Sequence, residues 1–197
     1  MSKHRIKYAL RIILHLLTLT PLSLFAQIAC DALPHSISLE NGPVINQQHI
    51  FCGEWHRDRP KGFHSRPDGK NPASIAQLSI QSKPNKAGVY TIRWSHIRNI
   101  KKEKFSSMFP DQCTTQQVLN SIHYAIKHTI PCPSNSPNWL QCGQNKPSIT
   151  SEKENPQFCS HNNILFTIGL AFDHNGKINT AFPIFEWITT ILLVGKI

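Results

Sequence analysis

Acidic residues are scarce in this chain of 197 residues: 11 Asp and Glu stand against 21 Lys and Arg, a formal charge of +10 with histidine neutral. That imbalance predicts attraction to polyanions such as nucleic acid or an anionic membrane surface. Charge is nonetheless sparse, at 16% of residues against 40% hydrophobic, which excludes a wholly disordered polyelectrolyte and suits one or at most two compact domains. No CxxC pair occurs, and His161, two residues after Cys159, completes no four-ligand pattern, so a zinc site is not expected. No segment repeats at a period of roughly 20–50 residues, which removes solenoids and propellers. Apolar runs near both ends fall short of the about 20 residues a spanning helix needs, and the second, from Ile184 to Val194, contains Glu186 and reads as a buried terminal element.

What is present begins with a leader. Lys3, Arg5, Lys7 and Arg11 precede an apolar stretch from Ile12 to Phe25 that is interrupted by Thr18, Thr20, Pro21 and Ser23. This is the pattern of a secretory signal peptide over residues 1–26, cleaved after Ala26, with Ala29 as the alternative and an uncleaved amphipathic anchor as the rival reading. Its removal leaves 17 cations against 11 acids, or +6, so the mature chain stays basic. All six cysteines (Cys30, Cys52, Cys113, Cys132, Cys142 and Cys159) remain after cleavage. An even count in an exported chain favours disulfides, although the sequence does not choose among the pairings. Gln27, Ile28 and Ala29 make a poor lipobox, which argues against lipidation of Cys30.

Residues 27–48 form a polar, proline-containing lead-in, and the informative domain spans residues 49–197. Ala76-Leu78-Ile80 and Tyr90-Ile92-Trp94 alternate as strands do, separated by a turn at residues 83–88. Thr114 and Gln117 make a capping box for a helix reaching His128, with Val118, Leu119, Ile122, Ala125 and Ile126 on one face. Residues 131–159 are rich in Ser, Asn, Pro and Gln and read as a cysteine-containing loop insertion. A strand from Ile164 to Phe172, a tight Asp173-His174-Asn175-Gly176 hairpin and a return strand from Lys177 to Phe185 complete the chain, with Thr180 and Phe182 on one side of the return strand.

Four short segments carry chemistry: His49 in His-Ile-Phe-Cys-Gly-Glu, His64 after Gly62-Phe63, the Lys101-Lys102-Glu103-Lys104 cluster, and Thr180-Ala181-Phe182-Pro183. Gly53 and Gly62 beside the histidines would permit close approach of an anionic group. Two histidines and a lysine suffice to cut RNA without a metal, because the nucleophile is already in the substrate. One imidazole deprotonates the ribose 2′-hydroxyl, the other protonates the leaving 5′-oxygen, and a cation offsets charge building on the phosphoryl oxygens. Lys101, Lys102 and Lys104 each qualify for that last role, Lys104 being favoured by its proximity to Ser106 and Ser107. Arg57, Arg59, Lys61 and Arg66 could track an RNA backbone. Cys52, close to His49, would brace that histidine's loop and tie activity to oxidation.

These segments resemble the EndoU-like endoribonucleases, which prefer uridylates, and especially the bacterial branch found in secreted and contact-delivered toxins. The resemblance runs through most of the mature chain: His49 with Gly53 and Glu54, His64 after Gly62-Phe63, Lys104 before Ser106-Ser107-Met108-Phe109-Pro110, the helix from Thr114, and Thr180-Ala181-Phe182-Pro183, in that order. It implies an α+β, EndoU-like fold of two antiparallel β-sheets with packed helices. It further implies that His64 is the general base, His49 the general acid and Lys104 the transition-state cation, with Ser107, Thr180 and Phe182 binding the uridine. Phe182 stands where the family usually has Tyr, and Ser107 where it usually has Thr.

The expected activity is that of a secreted endoribonuclease, a toxin or effector, cutting single-stranded RNA at uridylates by 2′-hydroxyl transesterification to leave a 2′,3′-cyclic phosphate. No cofactor is required, although manganese stimulates some relatives, and no metal site is expected. The expected state is a monomer without stable membrane association, with single-stranded RNA as substrate and an immunity protein as a further partner. The competing reading is a non-catalytic secreted RNA- or polyanion-binding protein with a decayed EndoU-like site.

Overall fold

The computed structural model describes residues 28–38, 40, 42–148 and 155–185. The expected leader and the terminal element beyond Phe185 lie outside them. The architecture is α+β, built on two main sheets, most of whose strands pair antiparallel, as expected. The first sheet has six strands. β1 (Ile37–Ser38) and β2 (Val44–Ile45) come from the lead-in and the residues before the first helix, α1 (Gln47–Phe51). β8 (Thr129–Ile130), β9 (Gln141–Gln144), β10 (Thr167–Phe172) and β11 (Ile178–Pro183) supply the rest, in the order β1-β2-β11-β10-β9-β8. The β2–β11 pairing, Ile45 beside Ile178, is parallel and brings the segment just before α1 next to the return strand of the final hairpin.

The second sheet is a three-stranded meander of β5 (Ile75–Ser82), β6 (Tyr90–His96) and β7 (Asn99–Met108). A two-stranded ribbon of β3 (Glu54–His56) and β4 (Arg59–Lys61), which no sequence pattern announced, packs through β4 against β7. Each main sheet has its own core. Ile45, Ile50, Phe51, Val118, Leu119, Ile122, Ile168, Leu170 and Ile178 fill the first, and Phe63, Tyr90, Ile92, Trp94 and Met108 the second.

Helix α2 (Thr115–Lys127) begins where expected. The Thr114 hydroxyl accepts from the Gln117 N–H at 3.2 Å, and the Gln117 side chain accepts from the Thr114 N–H at 2.8 Å. Its buried face of Val118, Leu119, Ile122 and Ala125 lies on the first sheet, and the buried Ser121 hydroxyl accepts from the Cys159 N–H at 2.8 Å.

Two expectations are corrected. The polar segment after Pro131 is not loop throughout, because residues 141–144 form β9 and pair with β10 on one side and β8 on the other. Only Cys142 and Gly143 of this strand are buried, Gly143 against the α2 backbone, where a side chain would not fit. The final hairpin turns at Asp173–Gly176 as expected, but its strands are shorter than expected, β10 beginning at Thr167 rather than Ile164 and β11 running from Ile178 only to Pro183. Phe172 pairs with Ile178 after a bulge at Ala171/Phe172, and the Asp173 carboxylate accepts from the Asn175 and Lys177 N–H groups to shape the turn.

The six cysteines pair as Cys30–Cys52, Cys113–Cys159 and Cys132–Cys142. The first ties the lead-in to the C-cap of α1, the second ties the start of α2 to the approach to β10, and the third closes the loop between residues 132 and 142. Gly143 offers a direct test of how helix and sheet fit together. A Cβ there would lie 2.0 Å from the Ala125 carbonyl oxygen, which is backbone and cannot swing aside. Gly143→Ala is expected to cost about 2–3 kcal/mol, read as a lower denaturant midpoint at unchanged m-value.

Candidate active site

Helix α1 is only five residues long, so its position depends on its caps and neighbours. The Asn46 side chain caps it, accepting from the His49 N–H at 3.1 Å. The chain leaving β4 then passes close against it: Phe63 N–H donates to the His49 carbonyl at 2.7 Å and His64 N–H to the Ile50 carbonyl at 2.7 Å. Gly62, at φ +72°, makes this possible, since a Cβ there would stand 2.0 Å from the His49 carbonyl oxygen. The glycines beside the histidines therefore admit protein rather than an anion, with Gly53 making room for the Trp94 ring in the same way.

The outcome is two buried imidazoles facing one another, ring centroids 6.2 Å apart. Each has one nitrogen committed. His49 Nδ1 lies 2.8 Å from Glu54 Oε2, and His64 Nδ1 lies 2.9 Å from the Ser107 carbonyl oxygen. A carboxylate and a carbonyl can only accept, so Nδ1 carries the hydrogen in both rings and Nε2 is the nitrogen left for chemistry. Burial opposes charge on Glu54, but hydrogen bonds from His49 and Asn46 hold its carboxyl down to about 2, so it remains ionised. His64 is pushed well below the usual histidine range by burial and by the nearby positive charge of Lys104 and His49, which keeps its Nε2 lone pair free.

The three lysines separate by strand alternation. All lie on β7, where Lys102 and Lys104 share one side and Lys101 takes the other. Lys102 Nζ bonds the Asp58 carboxylate and the Asp58 carbonyl, the latter at 2.8 Å. Lys104 faces the histidines: its Nζ donates to the Ser106 hydroxyl at 2.8 Å and the Phe105 carbonyl at 2.9 Å. Burial pushes its ammonium down to about 8. The Ser106 hydroxyl in turn donates to the Gly62 carbonyl at 3.0 Å and accepts from the Trp94 indole at 3.0 Å, joining lysine, glycine turn and core.

His49, His64, Lys104, Ser107, Thr180 and Phe182 all line one cleft of about 700 Å³ between β7 and β11. The structure thus gathers every expected site residue. Phe182 stands 5.3 Å from His64, its ring lying over Gly169 of the neighbouring strand. Among the described residues the buried Thr180 hydroxyl has no hydrogen-bond partner. Ser107 contributes its main-chain carbonyl to His64 as well as its place in the wall. Arg59 and Lys61 also line the cleft, whereas Arg66 is diverted into the fold, its guanidinium bonded to Asp111 and Tyr90.

Sequence reasoning missed several contributors. Glu54 and Asn46 orient His49, Ser106 anchors Lys104, and Asn179 and the exposed Trp139 border the cleft. Glu54 was visible in the His-aliphatic-x-x-Gly-Glu segment, while nothing local marked Trp139, which is carried there by the loop that Cys132–Cys142 closes. Among the described residues, no group of three or more His, Cys, Asp or Glu side chains converges as metal ligands.

A family model for bacterial EndoU nucleases matches residues 43–185. The chain belongs to the bacterial EndoU nuclease family. No curated protein and no solved structure matches it. The EndoU match begins within the segment that leads into α1 and closes at the end of β11, so it covers both histidines, Lys104 and the final hairpin. The three disulfides fit an oxidising compartment, and no helix among the described residues is long and apolar enough to cross a membrane.

The site's electrostatics have two measurable consequences. Lys104 should be acylated with a midpoint near pH 8, read by mass spectrometry of its peptide, whereas a midpoint near 10 would mean that the cleft is wetter than its geometry indicates. Because the Glu54 carboxyl is held at about 2 against an ordinary 4.5, it stabilises the fold above that ordinary value and loses the effect as pH falls toward 2. The stability difference between wild type and Glu54→Gln, from urea melts, is expected to shrink across that acid window.

Proposed function

We propose that this EndoU nuclease is a secreted endoribonuclease that cuts single-stranded RNA on the 3′ side of uridylates. The observation that carries this reading is the paired commitment of the two Nδ1 atoms, which leaves two Nε2 atoms and the Lys104 ammonium facing one cleft. His64, kept neutral, takes the 2′-hydroxyl proton as the 2′-oxygen attacks phosphorus. His49, whose Nδ1 is held by a carboxylate and whose Nε2 can carry a second proton, gives it to the 5′-oxygen as the P–O5′ bond breaks. Lys104 offsets charge on the non-bridging oxygens. The products are a 2′,3′-cyclic phosphate and a free 5′-hydroxyl.

The Thr180 hydroxyl, unpartnered among the described residues, supports recognition of the uracil edge, and the Phe182 ring offers a stacking face beside His64. The sequence of proton transfers uses no metal, so manganese would act as a stimulator at most. The positive leader, the disulfides and the basic charge support export and a role as a toxin or effector, acting as a monomer on foreign RNA, with an immunity protein guarding the producing cell. Phe182, lacking the hydroxyl of the family's usual Tyr, favours the second reading of a non-catalytic RNA-binding protein.

The test is incubation of oxidised residues 27–197, in EDTA, with a short RNA holding one uridine and with its 2′-deoxy counterpart. Cleavage of the first alone to a cyclic phosphate is expected, and His49→Ala and His64→Ala should each lower the rate by about 10²–10⁴-fold with RNA affinity held within a few fold. No cleavage of either substrate, with manganese also ineffective and circular dichroism intact, overturns the enzyme in favour of the binding protein.

A further inference from the structure

The two ends of the catalytic cleft serve different parts of the substrate. The attacking 2′-oxygen and the departing 5′-oxygen lie on opposite sides of phosphorus, so the nucleotide 3′ of the cut must extend past the general acid. On the reading above that acid is His49, and behind it lies a second cleft of about 740 Å³. The two clefts meet at Asn179, and Glu54, in the wall of the second, holds the His49 ring that lines the first. One Glu54 oxygen holds His49, the other accepts from Asn46 and lies 3.4 Å from His35 Nε2, and Asn179 lines both spaces.

The walls of this second cleft suit a nucleotide. Trp55 is half-exposed and its ring centroid lies 5.7 Å from that of His96, which is buried and held by the Arg98 N–H donating to its Nδ1 at 3.1 Å. That bond leaves His96 Nε2 as the donor. The Arg98 guanidinium and the Lys177 ammonium line the same space and have no ion-pair partner among the described residues. His35 and His56 add two more nitrogen-bearing rings, against the single exposed carboxylate of Asp31, since Glu54 is already engaged. An aromatic face beside unpaired cations is the combination that single-stranded nucleic acid requires, base on ring and phosphate on cation.

We propose that this second cleft binds the nucleotide on the 3′ side of the scissile phosphate, its base against Trp55 and its own 3′-phosphate drawn by Arg98 and Lys177. The inference rests on the assignment of His49 as general acid, because reversing the two histidines would seat the 5′ neighbour there instead.

The experiment compares kcat/KM for uridine 3′-(methyl phosphate), which has no nucleotide 3′ of the cut, for the same uridine carrying two adenylates on its 3′ side (UpApA), and for uridine 3′-(methyl phosphate) extended equally on its 5′ side, in wild type, Trp55→Ala, Arg98→Ala and Lys177→Ala. The 3′ extension is expected to raise kcat/KM by about tenfold, and each substitution should bring that ratio toward one while leaving the ratio for the 5′ extension as in wild type. Because each ratio is taken within a single protein, a partly destabilised variant still reports. A ratio near one in wild type, an unchanged ratio in all three variants, or a loss confined to the 5′-extended substrate overturns the proposal. If wild type cuts none of the three, the nuclease reading has failed on its own account, and fluorescence anisotropy with the 2′-deoxyuridine versions decides the cleft separately. Tighter binding of the 3′-extended oligomer that the variants lose supports it, and equal affinities for both extensions overturn it.

Discussion

Two main-chain hydrogen bonds, from Phe63 and His64 to the carbonyls of His49 and Ile50, hold this active site together. They join a five-residue helix, too short to be stable alone, to the irregular segment that follows the β3–β4 ribbon. Everything catalytic is measured from that seam. It sets the distance between the imidazoles, and the Phe109 N–H donating to the His64 carbonyl at 2.8 Å carries the alignment on to the end of β7. From β7 come Lys104 and the Ser107 carbonyl, and through the second core the meander is fixed to the same seam. Gly62 is indispensable because any side chain would occupy the space of the His49 carbonyl.

Around this seam the two histidines, alike in type, are made unlike by what each Nδ1 meets. Burial and the nearby Lys104 ammonium keep His64 uncharged despite the carbonyl that its Nδ1 meets, whereas His49 faces a carboxylate kept ionised by its own hydrogen bonds. Assigning the acid and base roles therefore depends on groups remote in sequence from one of the rings: Ser107 is 43 positions from His64, while Glu54 is five from His49. Lys104 works in both directions, as the cation of the cleft and as one cause of the neutrality of His64.

Short-range patterns carried much of this in the sequence. The capping box at Thr114 and Gln117 located α2, alternation found β5 and β6, and the ordered segments around His49, His64, Lys104 and Thr180 named the residues that meet in the cleft. What escaped depends on tertiary contact. β9 is polar and its identity comes from pairing with β10, so a composition rich in Ser, Asn and Pro around it reads as loop. Lys101, Lys102 and Lys104 could not be told apart until β7 was known to be a strand and Asp58 was seen to engage Lys102. Arg66 read as a backbone-tracking cation because Asp111, its partner, lies 45 residues away. The ribbon of β3 and β4 has three residues per strand, below the length at which alternation is detectable.

The bond that orients His64 comes from the main chain of Ser107, so the side chain at that position is not committed to proton transfer. Ser107 and Phe182 both border the cleft. Substitution there can reshape the face presented to the substrate while the imidazole and its hydrogen-bond acceptor stay in place. On the proposed nuclease reading the fold thereby separates what is cut from how it is cut: a change at residue 107 or 182 would alter base preference and leave the groups that move protons in place.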